Sequence, residues 1–171
     1  MKQLEGVESV SGINHLPLAG DVWGLPFQIE GRPAPAPGET PNAAPRNVYD
    51  QDMTTAWRCD GDGSGQKLTI DLAGSTKIGE VGLIPGYAKT DARSGVDRYA
   101  ENDRLTRVRW VFDDGTTVEQ TLDPSPQNRA MQSIRIPVTK AARVVVEIVD
   151  VKRGPRDTIA VSELRIGQTA S

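Results

Sequence analysis

The stretch TRVRWVFDDGTTVEQTL, Thr106 to Leu122, sets the fold class. Its first half alternates. Val108, Trp110 and Phe112 fall on one face and Arg107 and Arg109 on the other, the period of a half-buried strand. Asp113-Asp114-Gly115 then predicts a hairpin turn, because glycine takes positive φ without steric cost. Thr117 to Leu122 is the returning strand.

Working outward, the same pattern recurs. Lys67 to Leu72 alternates, with Leu68, Ile70 and Leu72 on one face, and Ile78 to Ile84 follows a Gly-Ser turn. Ser133 to Val138 alternates again. Ala142 to Val151 is the longest β-branched run and predicts a central strand. Ile159 to Ile166 closes the series, and no stretch sustains a 3.6-residue period. Short strands separated by turns predict an all-β protein, an antiparallel β-sandwich or jelly roll, over residues 47–171. Residues 33–46, rich in Pro and Ala, read as an extended linker. Residues 1–32 form an N-terminal hairpin or extended appendage, with strands near Val7 to Ile13 and Leu25 to Glu30. A lone hairpin is marginal in water, so this one should pack on the following domain or on another chain.

Composition narrows the function. The chain has 171 residues, 20 basic against 23 acidic, and a net charge of −3, which gives no electrostatic case for nucleic acid. Charged residues make up 25% and hydrophobics 37%, with 17 Gly and 12 Pro, a turn-rich globular mix. No apolar run reaches the length of a spanning helix, so no membrane insertion is expected of this chain. A single cysteine, Cys59, forms no internal disulfide. The N-terminus lacks a signal-peptide pattern, so the chain as written would stay in the cytoplasm unless it is part of a larger protein.

Catalytic signals are weak. His15, the single histidine, has no Ser-Asp or Cys partner nearby, and Cys59 sits in no motif that activates a thiolate. Gly61 to Gly65 lacks the Lys-Ser/Thr tail of a phosphate loop and reads as a turn into the Lys67 strand. Carboxylates are numerous, but their number alone does not argue for a hydrolase, and the chain reads as a non-enzyme. A hard-cation site is more plausible. VYDQDMTTAW, Val48 to Trp57, packs carboxylates, carbonyls and hydroxyls into one loop, as calcium requires. The alternative is an Asx-turn in which Asp50 or Asp52 caps local amides.

The segment from Asn47 to Gly167 resembles the discoidin superfamily, the galactose-binding-like jelly roll also found in coagulation-factor type C domains. NVYDQDMTTAW is similar to that fold's opening loop, and DTIAVSELRIG to its closing Ser-Glu strand. GLIPGYAKTD followed by RYAENDR is similar to the NADase-type glycan-binding branch, through Gly86, Tyr87 and Lys89, then Tyr99, Asn102 and Arg104. The resemblance implies a non-catalytic module that binds a glycan or cell-envelope polymer. It also implies an extracytoplasmic place within a larger protein, with that protein's other domains as partners. By position it nominates Asp50, Asp52, Thr55 and Glu163 for a structural calcium ion. The middle residue of the usual Asp-Gly-Asp is Gln51 here, where a left-handed backbone is less comfortable. GVESVSGINHLPLAGDVWGLPFQIEGRPAPAPGE, with its Gly-Val-x-x-Val strand, Pro-Leu-x-Gly turn and IEGRP strand, makes residues 5–40 resemble a fragment of the periplasmic core domain of macrolide-exporter-type ABC transporter permeases, so that the chain reads as a hybrid. No transport activity follows from so short a piece.

Sugar sites combine aromatic faces with planar polar groups. The long polar segment from Leu83 to Leu105 supplies Tyr87, Lys89, Arg93, Arg98, Tyr99, Asn102 and Arg104 as ligand-binding candidates. Trp57 and Trp110 belong to the core, and Trp23 lies in a Gly-flanked turn. In the competing reading the domain is a structural or protein-interaction sandwich. The long loop then braces it, and Tyr99, Asn102 and Arg104 satisfy buried backbone groups.

Overall fold

A computed structural model of the chain describes residues 27–30, 45–63 and 65–169. His15, Trp23 and the strand expected near Val7 to Ile13 lie outside the described residues. The strands are β1 (Phe27–Glu30), β2 (Trp57–Asp60), β3 (Lys67–Leu83), β4 (Asn102–Phe112), β5 (Thr117–Thr121), β6 (Gln132–Lys152), β7 (Arg156–Val161) and β8 (Leu164–Gln168). A one-turn helix, α1 (Arg98–Glu101), precedes β4.

The strands run in the order β1-β3-β6-β4-β7-β2, with β5 added to β4 and β8 added to β3. Pairing is antiparallel except where β7 meets the start of β4, at Asn102↔Arg156 and Asp103↔Ile159. The fold is the expected all-β sandwich of jelly-roll type. Its hairpin forms as the alternation requires, with Trp110 opposite Val118 and Val108 opposite Gln120. Gly115 turns the chain at φ 87°, donating its N–H to Phe112 O at 3.0 Å.

Trp57 and Trp110 are fully buried, as expected of core residues, with Phe112, Val108, Val144, Ile70 and Leu68 around them. Buried Gln120 removes a polar cost from this core. Its Oε1 accepts the Trp110 indole N–H at 3.0 Å, and its Nε2 donates to Gln132 O at 2.7 Å. Cys59 is buried, and its thiol donates to Asp60 O at 3.5 Å.

Some boundaries differ from the sequence expectation. The strands predicted at Lys67 to Leu72 and Ile78 to Ile84 are one strand, β3, with a register shift between Asp71 and Thr76 in place of a turn. Ser133 to Val138 and Ala142 to Val151 likewise merge into β6. The predicted closing strand is split at Ser162-Glu163 into β7 and β8. Residues 27–30 join the sheet, Phe27 opposite Ile70 and Glu30 opposite Lys67. No helix among the described residues is long and apolar enough to cross a membrane.

Candidate functional site

The long loop leaves β3 at Ile84, whose N–H donates to Glu163 O at 2.8 Å. The turn that follows is stitched to the β7–β8 corner. Ser162 N donates to Gly86 O at 3.1 Å, and Ala88 N donates to Ser162 Oγ at 2.9 Å. Gly86 is required for space, since a Cβ there would stand 2.7 Å from Tyr99 Cε2. Tyr87 packs inward. Its hydroxyl donates to Thr54 O at 2.9 Å, and the Arg58 guanidinium lies 5.5 Å from its ring centre.

Residues Lys89 to Arg98 close on themselves. Asp91 N donates to Val96 O at 2.8 Å, Gly95 N to Asp91 O at 2.8 Å, and Arg98 N to Lys89 O at 3.0 Å. The Asp91 carboxylate accepts the N–H groups of Arg93 and Ser94, both at 3.0 Å. The Ser94 and Arg93 amides hold its carboxyl down to about 2. Asp97 caps α1, accepting from Tyr99 N at 3.0 Å and Ala100 N at 3.2 Å. Its other oxygen accepts from Arg129 Nη2.

Tyr99 anchors the base of this loop. Its hydroxyl donates to Asn128 O at 2.9 Å, and the guanidinium groups of Arg104 and Arg129 lie 5.8 and 5.4 Å from its ring centroid. Burial pushes its phenol up to about 12. Asn102 Nδ2 donates to Arg98 O, and Arg104 Nη1 to Tyr99 O, each at 2.6 Å.

The nominated residues therefore separate into two sets. Of the ligand-binding candidates, Tyr87, Tyr99, Asn102 and Arg104 are packed away, at 3%, 0%, 2% and 5% exposed. The physical reason is that buried carbonyls need donors: Asn102 and Arg104 supply those of Arg98 and Tyr99 within the segment, and Tyr87 and Tyr99 those of Thr54 and Asn128. Arg98 is half-buried and held by Glu101 at 2.6 Å and Asp91 at 3.5 Å. Lys89 is half-buried near Asp52, and Arg93 is exposed. Sequence reasoning missed Arg58, Asn128, Arg129 and Ser162, which sit far along the chain and carry no local signal. Asp97 had one, as an N-cap residue ahead of a short helix.

The opening loop forms the second part of the site. Asp50 accepts from Asp52 N at 2.9 Å and from Thr55 Oγ1 at 2.7 Å. Asp52 accepts from Thr54 N at 2.8 Å and from Thr54 Oγ1 at 2.6 Å, and these bonds lower its pKa. Gln51 does adopt the left-handed backbone, at φ 58°. Behind the loop Glu163 is 5% exposed, and its Oε1 is buried without a hydrogen-bond partner. Burial, and then the neighbouring Asp50 carboxylate, push the Glu163 carboxyl up to about 8.

These residues fit a hard cation. A buried orphan carboxylate oxygen beside a second carboxylate is what a cation would satisfy. Among the described residues no three His, Cys, Asp or Glu side chains gather into a metal cluster, so backbone carbonyls would supply most of the ligands.

A family model described as the NAD glycohydrolase translocation F5/8 type C domain matches residues 36–167. No curated protein matches the chain. Solved structures do. The F5/8 type C domain of a Bacteroides fragilis protein aligns with a TM-score of 0.62 at 9% identity, covering 89% of this chain and 97% of its own. The family 32 carbohydrate-binding module of Clostridium perfringens NanJ, in complex with galactose, aligns at 0.56 and 15% identity, covering 83% and 92%. Another family 32 module from Clostridium perfringens, in complex with GalNAc-beta-1,3-galactose, aligns at 0.56 and 17% identity, covering 84% and 94%. At these identities the likeness is one of fold. Nothing in the comparisons supports the permease resemblance of residues 5–40.

Proposed function

The chain belongs to the NAD glycohydrolase translocation F5/8 type C domain family, and on that premise we propose that it is a non-catalytic carbohydrate-binding module of a larger extracytoplasmic protein. Its ligand is a glycan or cell-envelope polymer. The observation that carries this reading is the Lys89–Arg98 loop. Its base is locked by buried Tyr87, Tyr99, Asn102 and Arg104, while Arg93 stays exposed and Lys89 and Arg98 half-exposed. A loop ordered in advance loses little conformational entropy on binding. Its cations and amides suit hydroxyl or carboxylate groups on a sugar. Galactose and GalNAc-galactose, bound by the relatives of like fold, are the first sugars to try.

A glycan array on the intact chain tests the reading, with Lys89→Ala and Arg93→Ala as variants. A glycan signal that falls at least tenfold in either variant is expected. No signal, or a signal untouched by both changes, would refute it. Burial of four nominated residues favours a second reading, a protein-interaction sandwich whose loop is only a brace. That reading expects a silent array from a fully folded chain.

Asp50 and Glu163 would hold a calcium ion together with carbonyls of the opening loop, while Asp52 and Thr55 order that loop. The ion would supply positive charge to the Asp50–Glu163 pair and so fix the loop against the β7–β8 corner. Calcium titration followed by thermal unfolding tests this, because a ligand of the folded state raises its melting temperature.

A further inference from the structure

We propose that a cation held by Asp50 and Glu163 orders the Lys89–Arg98 loop from one end, with Ser162 and Tyr87 carrying the effect between them. This would regulate the proposed ligand loop, and it rests on the cation reading of Asp50 and Glu163.

The two places share a corner. Ser162 and Glu163 are adjacent and buried between β7 and β8. Three hydrogen bonds run from them to the turn that begins the long loop. Ile84 N donates to Glu163 O at 2.8 Å, Ser162 N to Gly86 O at 3.1 Å, and Ala88 N to Ser162 Oγ at 2.9 Å. On its other side the Glu163 carboxyl meets Asp50 and the amides of Gln51 and Asp52 in the opening loop. That loop reaches the same turn by a second route. The Tyr87 hydroxyl donates to Thr54 O at 2.9 Å, and Lys89 acts on the Asp52 carboxylate.

Charge supplies the coupling. Asp50 stands beside Glu163, whose Oε1 is buried without a donor to offset the cost. Without a cation that cost falls when the opening loop and the corner move apart. Either movement pulls on Tyr87 or Ala88. Pro85 is tied to β4, where Leu105 N donates to its carbonyl at 2.8 Å, so the displacement is taken up beyond it, toward Lys89. Lys89 O in turn accepts Arg98 N at 3.0 Å, the bond that closes the loop. A cation draws the two carboxylates together and removes the pull. The far end is anchored independently, with Tyr99 N on Asp97 and the Tyr99 hydroxyl on Asn128 O. By linkage, whatever affinity the cation lends to a ligand of this loop, that ligand returns to the cation.

Hydrogen exchange of the intact chain with calcium alone tests the inference, beside thermal unfolding in the same buffers. Loop amides exchange through local opening, so stabilising the whole fold does not by itself slow them. Calcium should raise the melting temperature. It should slow the Ala88 and Arg98 amides at least about fivefold and leave those of Tyr99 and Ala100 within about twofold. In Ser162→Ala/Tyr87→Phe the melting temperature should still rise with calcium, while Arg98 no longer slows. A raised melting temperature with Arg98 unmoved in wild type, with all four amides slowed alike, or with equal slowing of Arg98 in the double variant overturns the inference and leaves the cation reading standing. A melting temperature that calcium does not move overturns both. The wild-type comparison decides the matter by itself if the double variant does not fold.

Discussion

Replacing Glu163 with glutamine should remove a loss of stability with rising pH from the calcium-free protein. In the folded chain the carboxyl is raised from 4.5 to about 8, first by burial and then by Asp50. A group raised on folding contributes stability that is complete below its unfolded pKa and is lost as pH climbs through the folded one. Between about pH 4.5 and 8 the wild-type chain must therefore lose stability relative to Glu163→Gln, which has nothing to ionise at that position. At 1.36 kcal/mol per unit the shift caps this loss at about 5 kcal/mol. Loop relaxation and water entry around the new charge absorb part of it, leaving about 2–3 kcal/mol, or roughly 5–10 °C in melting temperature for a domain of this size. The assay is thermal unfolding of both proteins in chelator at pH 5, 6, 7 and 8. Taking the difference between them cancels the other carboxylates. Saturating calcium should abolish the wild-type loss and leave Glu163→Gln nearly unmoved. A wild-type minus variant difference that stays flat from pH 5 to 8 would refute the reasoning. Calcium stabilising both proteins equally would remove Glu163 from the cation site.

Gly86→Ala should lower stability by about 1–3 kcal/mol in denaturant unfolding, because its Cβ would meet the buried Tyr99 ring; a midpoint unchanged from wild type would show that the ring can move aside. Tyr99→Phe keeps the ring contacts with Arg104 and Arg129 but loses the bond to Asn128 O, so a cost of about 0.5–1.5 kcal/mol is expected by the same measurement. Arg153 lies 3.1 Å from the fully buried Asp103 carboxylate, so Arg153→Ala should cost about 1–3 kcal/mol. Asp103→Asn in the same background should recover part of that loss, and failure to do so would mean the ion pair contributes nothing. Asp91 stays ionised down to about pH 2, so its capping of Arg93 and Ser94 should persist on acidification and weaken as pH falls from about 4 to 2. Amide chemical shifts at those two residues report it, and loss of the cap already at pH 5 would contradict the geometry.

The alternation in Thr106 to Leu122 made the central hairpin legible, since period and turn chemistry are local properties. What escaped was tertiary. Gly74-Ser75 looked like a turn, yet β3 runs through it with only a register shift. Ser133 to Val138 looked like a strand of its own, yet it runs on into β6, with Pro137 between Arg135, paired with Glu80, and Thr139, paired with Ile78, at a register shift where a missing N–H is tolerated. Ser162 and Glu163 were placed inside one closing strand, with Glu163 nominated for calcium only through the family resemblance. The strand break there, and the hold of Ser162 on Ala88, show when the Gly86 turn is brought beside them.

The ligand loop shows why residue type alone misassigns such sites. Tyrosine, arginine and asparagine serve a sugar surface and a buried backbone equally well, because both ask for planar donors and aromatic faces. Burial separates the two roles, and it depends on Asn128, Arg129 and Arg58, which reach the loop from elsewhere in the chain. The two roles are also coupled. Lys89 and Arg93 can present a fixed pattern of charge only because Tyr87 and Tyr99 hold the ends of their loop at 3% and 0% exposure. Softening the anchor should therefore weaken binding through entropy while leaving every exposed side chain in place, whereas removing Lys89 or Arg93 should weaken it without altering the loop's hydrogen exchange.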